Sequence, residues 1–134
     1  MVLVDTSVWI RFLANRAPCA IELDRLLGLE EVAGHELVYG ELLIGDRGGR
    51  RKFLAAYERM HQAPLVSHGD VVAFVRDRGL HGRGVGWIDV HLLASAILGR
   101  WQLWTVDPRF AAVAKELRVA YTPHGLVNHH PDGP

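Results

Sequence analysis

The chain opens Met1-Val2-Leu3-Val4-Asp5-Thr6-Ser7, a run of apolar and β-branched residues that ends on a carboxylate and two hydroxyls. Such a run reads as a buried strand, and Thr6-Ser7 supplies the side chains with which helices begin. Asp5 is therefore expected at the C-terminal end of a central strand, the edge along which open α/β sheets bind ligands. Capping of the next helix would also account for one aspartate in that place. The arrangement recurs at Trp104-Thr105-Val106-Asp107, where a second apolar segment delivers a second acid to the start of a helix.

Outward from these two segments, apolar spacing predicts helices over 7–13, 19–29, 36–44, 50–61, 67–78, 88–98 and 108–117. Short strands are expected at 32–33, 64–66, 102–106 and 119–121. The alternation implies one layered α/β domain with a parallel sheet over residues 1–121. Residues 122–134, with three prolines and no periodicity, are expected to form a loose tail.

Composition narrows the function classes. At 49% hydrophobic and 22% charged residues the chain is globular rather than disordered. No apolar run approaches the roughly 20 residues needed to span a bilayer, and no signal peptide is recognisable, so a cytoplasmic location and no membrane partner are expected. One cysteine, Cys19, excludes an internal disulfide. The 15 basic and 15 acidic residues balance. If four acids are set aside for a metal site, 11 remain against 15 bases, almost all of them arginine. The run Arg47, Arg50, Arg51, Lys52 and the group Arg76, Arg78, Arg83 are candidate RNA-facing or partner-facing surfaces, although a solvated helix start is the plainer account of the first.

Two further acids stand out by helical position. Counting from Asp89, the residues three, four, seven and eight places on are Leu92, Leu93, Ala96 and Ile97, so Asp89 lies on an apolar stripe. Glu41 likewise shares a face with Leu37, Val38 and Ile44. An unpaired buried carboxylate costs several kcal/mol unless something positive is near. A dipole-stabilised Asp89, a salt-bridged Glu41 and a capping Asp107 before Pro108 are the structural alternatives. Should the four converge, an all-oxygen donor set suits Mg2+ or Mn2+. Two such ions about 3.5 to 4 Å apart are the usual arrangement for cleaving a phosphodiester with water.

These residues resemble the PIN-domain ribonucleases, and specifically the VapC-type toxins of bacterial toxin–antitoxin pairs. Val4-Asp5-Thr6-Ser7-Val8-Trp9 matches the first family motif and Val38-Tyr39-Gly40-Glu41-Leu42 the second. The third is matched by the stretch from Gly86 to Ala96 around Asp89, and the fourth by Trp104-Thr105-Val106-Asp107-Pro108-Arg109-Phe110. The resemblance implies a three-layer α/β/α domain with a short central parallel sheet, Mg2+-dependent RNA cleavage, a homodimer and a VapB-like antitoxin. It would make Asp5, Glu41, Asp89 and Asp107 the catalytic metal ligands, Asp107 being the most variable position. Thr6 and Thr105 would orient them.

Other chemistries fit less well. Aspartate-based phosphatases want an acid two residues after the first, where Ser7 stands. The glycines of 79–86 lack the Gly-Lys-Ser/Thr of a phosphate-binding loop. The eight histidines are scattered and lack zinc-site spacing, with the pair His129-His130 in the tail and His35 placed at the start of the Glu41 helix. Trp9, Trp87, Trp101 and Trp104 all lie in apolar segments and are expected in the core or a dimer contact. A non-catalytic module of the same fold, binding RNA or an antitoxin, is the main alternative to an enzyme.

Overall fold

The computed structural model describes residues 1–123, so the expected tail lies outside the described residues from position 124 onward, His129 and His130 included. Strand β1 (Val2–Val4), wholly buried, runs between β2 (Val32–Ala33) and β3 (Gln102–Trp104), parallel to both, in the order β2-β1-β3. Seven helices are found among the described residues: α1 (Thr6–Leu13), α2 (Cys19–Gly28), α3 (Glu36–Ile44), α4 (Arg51–Glu58), α5 (His68–Arg78), α6 (Trp87–Gly99) and α7 (Pro108–Glu116). The expected α/β class with a short central parallel sheet is what forms. Because β2 is laid down on one side of β1 and β3 on the other, the strand order reverses at β1. Ligands of open α/β sheets bind at such a point.

The core gathers on β1, where Leu3 and Val4 are fully buried with Leu103, Leu23, Leu92 and Leu93. Trp9 leaves α1 to meet Phe12, Phe53 and Tyr57, with ring centroids 5.4 to 5.6 Å apart. Tyr57 in turn accepts the backbone N–H of His35 at 2.8 Å, tying α4 to the entry of α3.

Five expectations are corrected. Pro64-Leu65-Val66 is not a strand; pairing is confined to a bridge between Gly34 and Gln62, closed by Ala63 N–H to the Gly34 carbonyl at 2.7 Å. Pro64 has no N–H with which to continue the ladder. Residues 119–121 make one bridge, Leu103 to Ala120, rather than a named strand. The third strand stops at Trp104 because Val106 N–H turns to the Ser7 hydroxyl at 3.3 Å and Asp107 N–H to the Thr105 hydroxyl at 3.1 Å. Finally, α4 ends at Glu58 rather than near His61, and Ile44, expected inward beside Glu41, is 90% exposed.

Candidate active site

The sheet register explains how the first acid is held. Val4 stands opposite Trp104, so Asp5 and Thr105 follow side by side, and Asp5 N–H continues the ladder to the Trp104 carbonyl at 2.9 Å. Thr105 donates its hydroxyl to Asp5 Oδ2 at 2.7 Å, and Ser7 donates to the same oxygen at 2.7 Å. Asp5 occupies the N-cap position of α1 but makes no side-chain cap. The capping account therefore fails for Asp5: its carboxylate is turned to two hydroxyls, not to the helix.

Glu41, half-buried on α3, accepts the Thr6 hydroxyl at 2.6 Å through Oε1. The entry of α3 is fixed by His35, whose Nδ1 accepts Leu37 N–H at 3.0 Å. Asp89 sits in the first turn of α6, where its Oδ2 accepts Gly86 N–H at 2.9 Å. Asp107 caps α7, its Oδ1 accepting the N–H groups of Arg109 and Phe110 at 2.9 and 3.4 Å, with Pro108 at the first helical position.

These four acids come from four separate segments, yet they share an electrostatic neighbourhood. Burial pushes the Asp89 carboxyl up, the Gly86 N–H offsets part of that, and the charges of Asp5, Asp107 and Glu41 raise it further. Among the described residues no arginine, lysine or histidine side chain forms an ion pair with any of the four. The ion pairs among the described residues are Arg25–Glu22 and Arg83–Glu116. Each acid engages the protein through one oxygen, leaving Asp5 Oδ1, Glu41 Oε2, Asp89 Oδ1 and Asp107 Oδ2 without a protein partner among the described residues. Among the described residues the one fully buried side-chain polar atom without a partner is Trp9 Nε1, so the free oxygen of Asp5 still reaches solvent although the residue is buried.

The side chains do not stand in a closed cage. Among the described residues no three His, Cys, Asp or Glu side chains already form an ion-holding group. The chemistry of the set nonetheless fits a hard divalent cation: oxygen donors only, one free oxygen on each acid and an excess of negative charge. Hollows of about 340 to 440 Å3 elsewhere on the surface involve none of the four.

Of the hydroxyls, Thr6 contacts Glu41 and Thr105 contacts Asp5, whereas the contact of Ser7 with Asp5 was not legible in the sequence. The signal was there in part, since a hydroxyl two residues past an acid at a strand end is in reach of it. Of the basic residues singled out, Arg50 donates to the Leu42 carbonyl, Arg78 lies over the Phe74 ring and Arg83 pairs with Glu116. Trp9 and Trp104 are buried and Trp101 is half-buried, but Trp87 is 44% exposed, between His68 and His91.

A three-stranded parallel sheet carrying acids at the switch point defines a class, and comparison with known proteins gives it a name. The PIN domain family model matches residues 2–116. Ribonuclease VapC32 from two strains of Mycobacterium tuberculosis, CDC 1551 and H37Rv, is 44% identical over 121 residues, covering 90% of this chain and 95% of the relative. The crystal structure of FitAcB from Neisseria gonorrhoeae shares the fold at a TM-score of 0.60, with 22% identity over 90% of this chain and 95% of its own. The chain belongs to the PIN-domain family and groups with its VapC-type members.

Proposed function

We propose that this chain is a metal-dependent endoribonuclease, the toxin of a VapBC-like pair, using Mg2+ or, in its place, Mn2+. The observation that carries the reading is that the Asp89 carboxyl, raised first by burial, also feels Asp5, Asp107 and Glu41 from distant parts of the sequence, while among the described residues no basic side chain pairs with any of the four. Kinship with a protein named a ribonuclease supports the substrate.

In this reading Asp5, Glu41, Asp89 and Asp107 would hold the cations, each having one carboxylate oxygen without a protein partner among the described residues. A bound divalent cation supplies a nucleophile from water at neutral pH and neutralises charge at the leaving oxygen. The chain's own part is positioning. The hydroxyls of Ser7 and Thr105 fix the rotamer of Asp5, Thr6 fixes that of Glu41, and the helix starts of α6 and α7 hold Asp89 and Asp107. Local oxygens set in advance reduce the reorganisation needed when substrate arrives. A VapB-like antitoxin, a homodimer and a cytoplasmic location belong to the same reading. Ile21 and Ile44, 71% and 90% exposed, leave apolar surface on α2 and α3 that a protein partner would cover. No helix among the described residues is long and apolar enough to cross a membrane.

Purified protein should cleave RNA in Mg2+ or Mn2+, lose activity in EDTA, and be disabled by Asp5→Asn or Asp89→Asn. Cleavage by both variants at the wild-type rate would overturn the mechanism. Absence of divalent-ion binding in calorimetry, with the fold intact, would favour the non-catalytic binding module instead.

A further inference from the structure

We propose that Arg109 holds a backbone phosphate of the RNA beside the carboxylate cluster, an assignment that rests on the ribonuclease reading and adds the anchor by which the strand is held. Arg109 is exposed, and its guanidinium has no hydrogen-bond or ion-pair partner among the described residues. Its side chain is nevertheless placed. It lies along the backbone of Gly84, where an added Cβ would stand 2.6 Å from Arg109 Cδ and 2.7 Å from Nη1. Gly84 also has φ +81°, which favours glycine there, and a side chain in its place would displace the arginine. The neighbouring Arg83 pairs with Glu116 of α7 at 3.0 Å, which keeps the loop against that helix.

The location joins two acid-bearing segments. Arg109 follows Asp107 by two residues and gives it its N–H at 2.9 Å; Gly84 precedes by two residues the Gly86 N–H that Asp89 accepts at 2.9 Å. Yet the charge of Arg109 is not among the influences on Asp89, which are burial, the Gly86 N–H and three acids. An arginine packed between two acid-bearing segments, with no carboxylate bonded to its guanidinium among the described residues, is a cation kept for an anion from outside. Its planar fork matches phosphate oxygens. A strand approaching these carboxylates meets repulsion that such a cation offsets.

The test uses the Asp5→Asn protein, which on the ribonuclease reading binds RNA without cutting it, and the same protein carrying Arg109→Gln, Arg109→Lys or Gly84→Ala. Binding of a short fluorescein-labelled single-stranded RNA of mixed sequence is followed by anisotropy in Mg2+ as salt is raised. Arg109→Gln should weaken binding several-fold and lower the magnitude of the log–log salt slope by about 0.7, one single-strand phosphate contact. Its deficit should therefore shrink about 2.5-fold between about 50 and about 200 mM salt. Arg109→Lys should keep the slope while losing part of the affinity, and Gly84→Ala should behave as Arg109→Gln because its methyl displaces the side chain. In the otherwise wild-type enzyme Arg109→Gln should raise KM more than it lowers kcat. Equal affinity and slope for Arg109→Gln and its parent overturn the assignment and leave the ribonuclease reading standing. Failure of the parent to bind RNA, with no cleavage by the wild type, overturns both.

Discussion

Acid should unfold this protein in part through one buried imidazole. His35 is 1% exposed, accepts Leu37 N–H on Nδ1 at 3.0 Å and has Nε2 3.0 Å from the Ser95 hydroxyl. With Nδ1 an acceptor, the ring proton belongs on Nε2. A second proton would face an N–H donor and bring charge into the core. Burial, with a smaller push from His91, lowers the His35 pKa from 6.5 to about 4. The unfolded chain therefore binds the proton more tightly, and the stability that neutral His35 contributes is complete above about pH 6.5 and lost as pH falls towards 4. At about 1.36 kcal/mol per unit the full effect is roughly 3 kcal/mol, of which about 2 kcal/mol is already lost by about pH 5. Set against a total of about 5–15 kcal/mol, that is a large share. Urea denaturation of the wild type and of His35→Asn across this range isolates it, because Asn still caps α3 but does not titrate. The variant should be the weaker protein at neutral pH and lose about 2 kcal/mol less than the wild type on going to about pH 5. Parallel losses in the two proteins would refute a neutral, buried His35.

Two further outcomes follow from the acid cluster. Asp89→Asn keeps an acceptor for Gly86 N–H while removing a charge that the fold holds at a cost; in EDTA near neutral pH it should melt at a higher temperature than the wild type. Because the raised carboxyl destabilises the fold only when ionised, that advantage should fade as acidification protonates the wild type, and added Mg2+ should raise the wild-type melting temperature more than the variant's. Thr105→Val leaves the packing volume but frees Asp5 Oδ2 of one of its two hydroxyls. Cleavage should fall about 10–100-fold with the far-ultraviolet circular dichroism unchanged, and an unaltered rate would show that Ser7 alone suffices to orient Asp5.

Local chemistry made the elements legible. Val2-Leu3-Val4 could only be a buried strand, Asp107-Pro108 a helix start, Ser67 a cap whose hydroxyl accepts Asp70 N–H at 3.2 Å, and Asp89 an acid near the start of an apolar helix. The four acids were likewise visible, because carboxylates at a strand end or on an apolar stripe break the pattern around them. The failures were where one-dimensional reasoning lacks a partner. Pro64-Leu65-Val66 has strand-like side chains but no neighbour to pair with beyond Gln62, and Ile44 keeps helical spacing while the helix runs out into solvent.

What only the tertiary structure decided is which groups are neighbours. Asp5 and Thr105, 100 positions apart, meet because parallel pairing of β1 and β3 puts consecutive residues of both strands in register. Arg109 lies across Gly84 because α7 and the loop before α6 pack together, a contact for which neither residue's local sequence carries a signal. Sequence determined the backbone's local choices, since caps, strands and helices answer to the nearest few residues. Charge balance at the site depends on distances through space, and those exist only once the chain has closed on itself.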